Sequence, residues 1–290
     1  MKLFRTIMGH SSHVNKAVFS PDGALVSSAG FSGELCVWDV RSGELVHDLK
    51  GHEQSVNGIV FNEEGTVLYS AAKDGYVIEW DVQSGEQLRS IQVDKKGVSS
   101  LFIDELQGKL FYSTPKFMVG VLLLKDFTIC LEKKATSKNI NLLHYCSQIN
   151  LLAIGGLGEE VTFLSTAGEE VDYLHSAHEM AVMGFKFFDK GKRALSVGYN
   201  GEVYEWDLTS HNRSEIVNLS QKAYYSLAVH PDERHFAISL PYAVKLMTRE
   251  GEERFHFDLK SKGNYALNFS RDGQALALAS ADKRIRIWTL

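Results

Sequence analysis

Apolar and polar positions along this chain alternate in short runs, and a turn signal interrupts them every 8 to 10 residues. In the first such unit Val14 to Ser20 reads as a strand, Pro21-Asp22-Gly23 as a turn and Ala24 to Ala29 as a second strand. Phe31-Ser32-Gly33 turns again, and Glu34 to Asp39 and Glu44 to Leu49 supply a third and a fourth strand. Proline presets φ, aspartate bonds its own backbone and glycine takes the awkward dihedral, so each turn has a mechanism. Four short strands joined in this way predict an antiparallel sheet. The second unit repeats the order with Val56–Asn62, Thr66–Ala71, Tyr76–Asp81 and Gln87–Gln92. A fifth reads Val182–Phe188, Arg193–Val197 and Glu202–Asp207, and a seventh reads Asn264–Ser270, Ala275–Ala279 and Arg284–Trp288.

The units keep a fixed period. Trp80 follows Trp38 by 42 residues, and Trp206 follows Trp80 by 126. Gly9-His10 recurs as Gly51-His52, and His178 again lies 126 residues after His52. The third, fourth and sixth units lack these landmarks, but the spacing sets Val98, Ile140 and Tyr224 where Val14 stands in the first. Their strands are expected at Val98–Ile103 and Leu110–Thr114; at Ile140–Cys146, Leu151–Ile154 and Glu160–Leu164; and at Tyr224–His230, His235–Ser239 and Ala243–Met247. A four-stranded sheet cannot bury both of its faces by itself. Repeated radially, each sheet covers the next, and a closed ring leaves no open ends. The seventh unit stops after its third strand, while Lys2 to Ile7 precedes Gly9-His10 as Glu44–Leu49 precedes Gly51-His52. The expected fold is therefore all-β: a seven-bladed β-propeller of four-stranded antiparallel blades, one domain over residues 1–290, closed by the N-terminal strand completing the last blade.

Trp38-Asp39, Trp80-Asp81 and Trp206-Asp207, with Trp288-Thr289 as a variant, close third strands, and Gly-His pairs open units. In these features the chain resembles the WD40-repeat β-propeller family. The resemblance implies a hydrogen-bonded set of His, Ser/Thr, Asp and Trp in each blade. The aspartate position, six before the tryptophan, holds Ser32, Asp74, Asn200 and Asp282. The Ser/Thr position, eight before it, holds Gly30, Ala72, Gly198 and Ser280. Histidine is present as His10, His52 and His178, and Lys260 stands there in the seventh blade. On this reading no blade has the whole set; His52, Asp74 and Trp80 come nearest and are expected to be joined by hydrogen bonds. The implied role of His10, His52, Asp74, His178, Asp282 and the four tryptophans is structural.

Composition narrows the chemistry. The net charge of −5 offers no global attraction to nucleic acid. Lys95-Lys96, Lys133-Lys134, Arg254, Lys260 and Lys262 could make local basic spots for an RNA-binding propeller, but Glu250, Glu252 and Glu253 interleave with them. The three cysteines, Cys36, Cys130 and Cys146, form no C-x-x-C pair and are expected as small buried hydrophobes. Met1 to His10 has no apolar core of a signal peptide, and the apolar run Phe117–Leu124 is too short to cross a bilayer, so a cytoplasmic protein without membrane contact is expected. The expected innermost strands, VNKAVFS, VNGIVFN, VSSLFI, INLLHYC, VMGFKFF, YYSLAVH and NYALNFS, contain no Asp or Glu. That argues against calcium or magnesium at the axis. His144 and Cys146 share a strand face with only His230 elsewhere, too few ligands for zinc. No G-x-S-x-G elbow occurs, and the glycines at 155, 156 and 158, read as a tight turn, run into Glu159-Glu160, which would repel phosphate, so no P-loop is present. No metal, cofactor or catalytic residue is expected; a propeller enzyme of hydrolase or lactonase type is the alternative.

What remains is a surface. One face of such a ring is built from loops entering the inner strands and turns joining second to third strands. The second inner-strand positions hold Asn15, Asn57, Ser99, Asn141, Met183, Tyr225 and Tyr265, and at or beside the turns stand Phe31, Lys73, Lys116, Phe117, Tyr199 and Tyr242. Aromatics and methionine with few charges have the composition of a protein-binding hot spot. The expected contact residues are Phe31, Asn15, Asn57, Lys73, Met183, Tyr199, Tyr225, Tyr242 and Tyr265. The resemblance implies the same: a non-catalytic scaffold holding a protein or peptide, a monomeric propeller within a larger complex.

Overall fold

A computed structural model describes residues 1–134, 140–165, 170–171, 178–219, 226–260 and 263–290, with the backbone only at 141, 170 and 171. It forms seven four-stranded antiparallel sheets arranged as the blades of a β-propeller. The innermost strands, in order, are Val14–Phe19, Val56–Phe61, Ser100–Asp104, Ile140–Cys146, Val182–Phe188, Ser226–Val229 and Asn264–Phe269. Each touches the next, and the first touches the last, so the ring closes. The strand Lys2–Met8 pairs antiparallel with Arg284–Thr289, setting Lys2 opposite Thr289 and Ile7 opposite Ile285. It is the outer strand of the seventh blade. Among the described residues the helical content is one 3-10 turn at Asp189–Gly191.

Burial explains why the middle strands read as apolar runs and the outer ones alternate. Leu35 to Trp38 is buried throughout because neighbouring blades cover both faces of its sheet, while Leu45–Leu49 outside it is largely exposed. Among the described residues the core divides into seven clusters. The one at the closure joins Ile7, Ile285 and Ile287 of the seventh blade to Val14, Phe19 and Trp38 of the first. Hairpin turns are fixed by aspartates: Asp22 accepts from Ser20 Oγ at 2.5 Å and from the Ala24 N–H at 3.0 Å, and Asp272 repeats this with Ser270 and Gln274.

The less marked blades differ from expectation in detail. The inner strand of the third blade starts at Ser100, because the Val98 N–H donates to Ala72 O of the second blade at 2.9 Å and leaves its own ladder. It ends at Asp104, which overturns the expectation that inner strands hold no carboxylate; Asp104 is buried and accepts from the Gln107 N–H at 3.2 Å. Gly155 and Gly156 lie within the strand Leu151–Gly156, paired with Leu142 and Ile140, and not in a turn. Cys36 and Cys146 are buried, but Cys130 is exposed because it sits on an outer strand. Tyr224 and Tyr225 lie outside the described residues.

Candidate functional site

Three blades carry a buried Trp–Ser–His relay, and in the second it extends by a hydrogen bond to an acid. In the second, the Trp80 indole N–H donates to Ser70 Oγ at 2.8 Å, Ser70 lies 2.8 Å from His52 Nε2, and His52 Nδ1 lies 2.9 Å from Asp74. A neutral imidazole satisfies every member if Nδ1–H donates to the carboxylate and Nε2 accepts from the hydroxyl. The first blade builds Trp38–Ser28–His10 at 2.7 and 2.6 Å, and the fifth builds Trp206–Ser196–His178 at 2.8 and 2.8 Å. The bridging serine stands ten residues before the tryptophan in all three, and not eight, which corrects the expected place of the hydroxyl and, in the second blade, the expectation that no blade has the whole set. Position ten back lies within the second strand opposite the third, where the pleat brings Oγ beneath the indole.

The acid varies, and a glycine varies with it. In the second blade Asp74 is used and Ala72 precedes it. In the first and fifth blades the expected aspartate is Ser32 or Asn200, and the carboxylate comes instead from Glu34, 3.5 Å from His10 Nδ1, or Glu202, 3.4 Å from His178 Nδ1. Both glutamates reach across a glycine. A Cβ on Gly30 would stand 2.8 Å from Glu34 Oε2, and one on Gly198 would stand 2.3 Å from Glu202 Oε2 and 2.5 Å from His178 Nδ1. The longer acid therefore requires the smaller residue. Burial opposes ionisation of Glu34, but the Ser11 N–H and the Ser12 and Ser32 hydroxyls outweigh it and hold the carboxyl far below its ordinary range. At Asp74 burial is likewise outweighed, by His52 and two backbone N–H groups. Burial lowers His10 and pulls His178 down to about 3, with Arg213 adding to the latter. These histidines are uncharged at neutral pH, as parts of a structural network.

The seventh blade has neither histidine nor serine in these places. Asp282 pairs with Arg286 instead, and the buried Trp288 indole N–H has no hydrogen-bond partner among the described residues. Leu278 occupies the position ten back.

On the loop face, Phe31, Lys73 and Tyr199 occupy one equivalent position. Their backbone N–H groups donate to His13, Ser55 and Ala181 carbonyls at 3.0, 2.8 and 2.9 Å, tying each turn to the loop that enters its inner strand. At the seam of the first and seventh blades, Phe31 meets Tyr265 edge-on at 5.4 Å, and His13 contacts both rings at 5.7 and 6.2 Å. Sequence reasoning missed His13, since it lies in a loop outside the repeat's landmarks. Phe31 is 45% exposed and Tyr242 53%. Lys73 is exposed, Tyr199 half-buried, and Met183 packs partly against the sixth-blade core. The Asn15 amide donates to Val56 O at 2.9 Å and Asn57 Oδ1 at 3.1 Å, and the Asn57 amide to Val98 O at 2.7 Å, so both amides lace adjacent blades together. The remaining expected contact residue, Tyr225, lies outside the described residues.

The family model described as WD domain, G-beta repeat matches residues 1–39, 43–81 and 262–289. Residues of this chain are 42% identical over 48 positions to the small ribosomal subunit protein RACK1 of Medicago sativa, and 40% identical over 48 to that of Glycine max. Each match covers 17% of this chain and 15% of the relative. Transcription factor unc-37 of Caenorhabditis elegans is 28% identical over 118 residues, 39% of this chain and 19% of that protein. The chain thus spans less than a fifth of the length of these relatives. Among the described residues no helix is long and apolar enough to cross a membrane. The chain thus carries WD40 repeats, matched in its first, second and last blades, within a β-propeller of seven four-stranded blades.

Proposed function

We propose that the protein is a non-catalytic interaction module, a monomeric propeller that holds a protein or peptide partner on its loop face within a larger complex. The observation that carries this reading is the cluster of His13, Phe31 and Tyr265, an aromatic group left partly open to solvent where two blades meet. Aromatic anchors of this kind contribute most of the binding energy in protein interfaces. Tyr242 extends the apolar surface on the sixth blade, and Lys73, Tyr199, Met183, Asn15, Asn57 and Tyr225 belong to the proposed face around it. The relays contain histidines and serines of the kind used in catalysis, but these are buried and hydrogen-bonded to one another. The relatives named as small ribosomal subunit proteins support work inside an assembly. Three cysteines free of disulfides suit a reducing compartment, and we place the protein in the cytoplasm.

The double variant Phe31→Ala/Tyr265→Ala tests this. Affinity capture followed by mass spectrometry should recover a reproducible partner with the parent protein and lose it with the variant, binding falling at least about thirtyfold for two anchors of roughly 1 kcal/mol or more each. The melting temperature should change little. Full retention of the partner by the variant would refute the reading.

A further inference from the structure

A cavity of about 290 Å³ runs along the propeller axis, lined by inner-strand residues of all seven blades. Among the described residues no aspartate or glutamate lines it, yet Lys16 of the first blade and Lys186 of the fifth both do. Among the described residues neither ammonium has an ion pair or hydrogen bond with a protein group. Two cations in a confined space without a counter-charge repel one another and are poorly hydrated. Burial and the field of Lys16 pull Lys186 down to about 8, and burial lowers Lys16 as well.

The neutral groups around them are also spent on one side. Asn268 Oδ1 accepts from the Phe19 N–H at 3.0 Å, which leaves its amide N–H₂ to the cavity. Ser226 Oγ accepts from the Leu267 N–H at 2.9 Å and keeps its own proton to donate. His144 lines a second cavity that shares Lys186 and Asn268 with the first, and the Phe187 N–H donates to its Nδ1 at 3.5 Å, so Nε2 carries the proton. Backbone N–H groups thus occupy the acceptors of these three side chains, and what they and the two lysines offer is donors and positive charge. That is the chemistry of an anion site.

We propose that the axial channel binds a small oxyanion of at least two negative charges, phosphate or a condensed phosphate, between Lys16 and Lys186, with Asn268 and Ser226 as neutral donors. Asn57 and Met183 of the proposed loop face also line this cavity, but the anion site does not depend on the reading above.

Calorimetric titration of the full chain with inorganic phosphate, and then with pyrophosphate, tests it. The expected result is saturable binding of one anion per chain for at least one probe. Lys16→Met and Lys186→Met keep the apolar stems and remove the charges; each should weaken binding about tenfold or more. Without anion, their melting temperatures should equal or exceed that of the parent, since a repulsion has been removed. Asn268→Asp keeps an acceptor for the Phe19 N–H but faces the anion with a carboxylate, and should also weaken binding about tenfold or more, which preserves the test if a lysine variant does not fold. The proposal fails if neither probe binds the parent saturably, or if every folded variant binds with the parent's affinity.

Discussion

At the scale of residues, the relays show how one chain solves a single packing problem twice. Glycine with glutamate and alanine with aspartate are matched pairs, because the Cβ of residue 198 and the carboxylate of Glu202 would claim the same space. Gly198→Ala should therefore destabilise the protein by about 1–3 kcal/mol, as overpacking does. The triple variant Gly198→Ala/Asn200→Asp/Glu202→Tyr, which copies the second blade's Ala72, Asp74 and Tyr76, should recover most of that loss in urea unfolding; if it unfolds as readily as the single variant, the two residues are not coupled. Titration gives a second outcome. His178 has a folded pKa of about 3 against an ordinary 6.5. Between those values the unfolded chain binds a proton that the folded chain refuses. Its contribution is thus complete above pH 6.5 and lost as pH falls toward 3, with a slope of about 1.4 kcal/mol per pH unit. His10 acts in the same direction. His178→Gln should flatten the acid limb of stability measured by urea melts from about pH 7 to about pH 4, by close to one proton's worth of slope.

At the scale of elements, the closure is the seam on which the ring depends. Ile7 of the first strand is 2% exposed and packs among Ile285, Ile287 and Val14. Ile7→Ala removes buried methylenes where two blades meet and should cost about 2–5 kcal/mol, read as a lower denaturation midpoint. Unchanged stability would mean that the first strand is dispensable. This closing strand was legible in the sequence, because Lys2 to Ile7 stands to Gly9-His10 as Glu44–Leu49 stands to Gly51-His52. The third, fourth and sixth blades were legible only through the period. There, strand ends are decided by bonds to the neighbouring blade, such as Val98 to Ala72, which no local pattern encodes. The bridging serines escaped for a similar reason: Ser28, Ser70 and Ser196 look like ordinary strand residues until pairing sets each across from its tryptophan's strand. The loop-face aromatics were visible as residue types, but the meeting of Phe31 with Tyr265 joins positions 234 apart and exists only once the ring is closed.

At the scale of the whole molecule, radial repetition brings seven near-copies of one inner strand to a common axis, so a side chain that differs between copies is displayed against the others. Lys16 and Lys186 stand out in this way: the counterparts of Lys16 are Gly58, Ser100, Leu142, Gly184, Ser226 and Ala266, and those of Lys186 are Val18, Val60, Phe102, His144, Ala228 and Asn268. The relays are distributed with the same unevenness. Three indoles, Trp38, Trp80 and Trp206, donate to serines, whereas the fourth, Trp288, is fully enclosed with its N–H unsatisfied, opposite Leu3 of the closing strand and 5.2 Å from Phe257. That asymmetry gives the protein an intrinsic set of spectroscopic probes. Three chromophores share one polar environment and register the integrity of their own blades, while the odd one sits at the clasp and registers whether the circle is fastened.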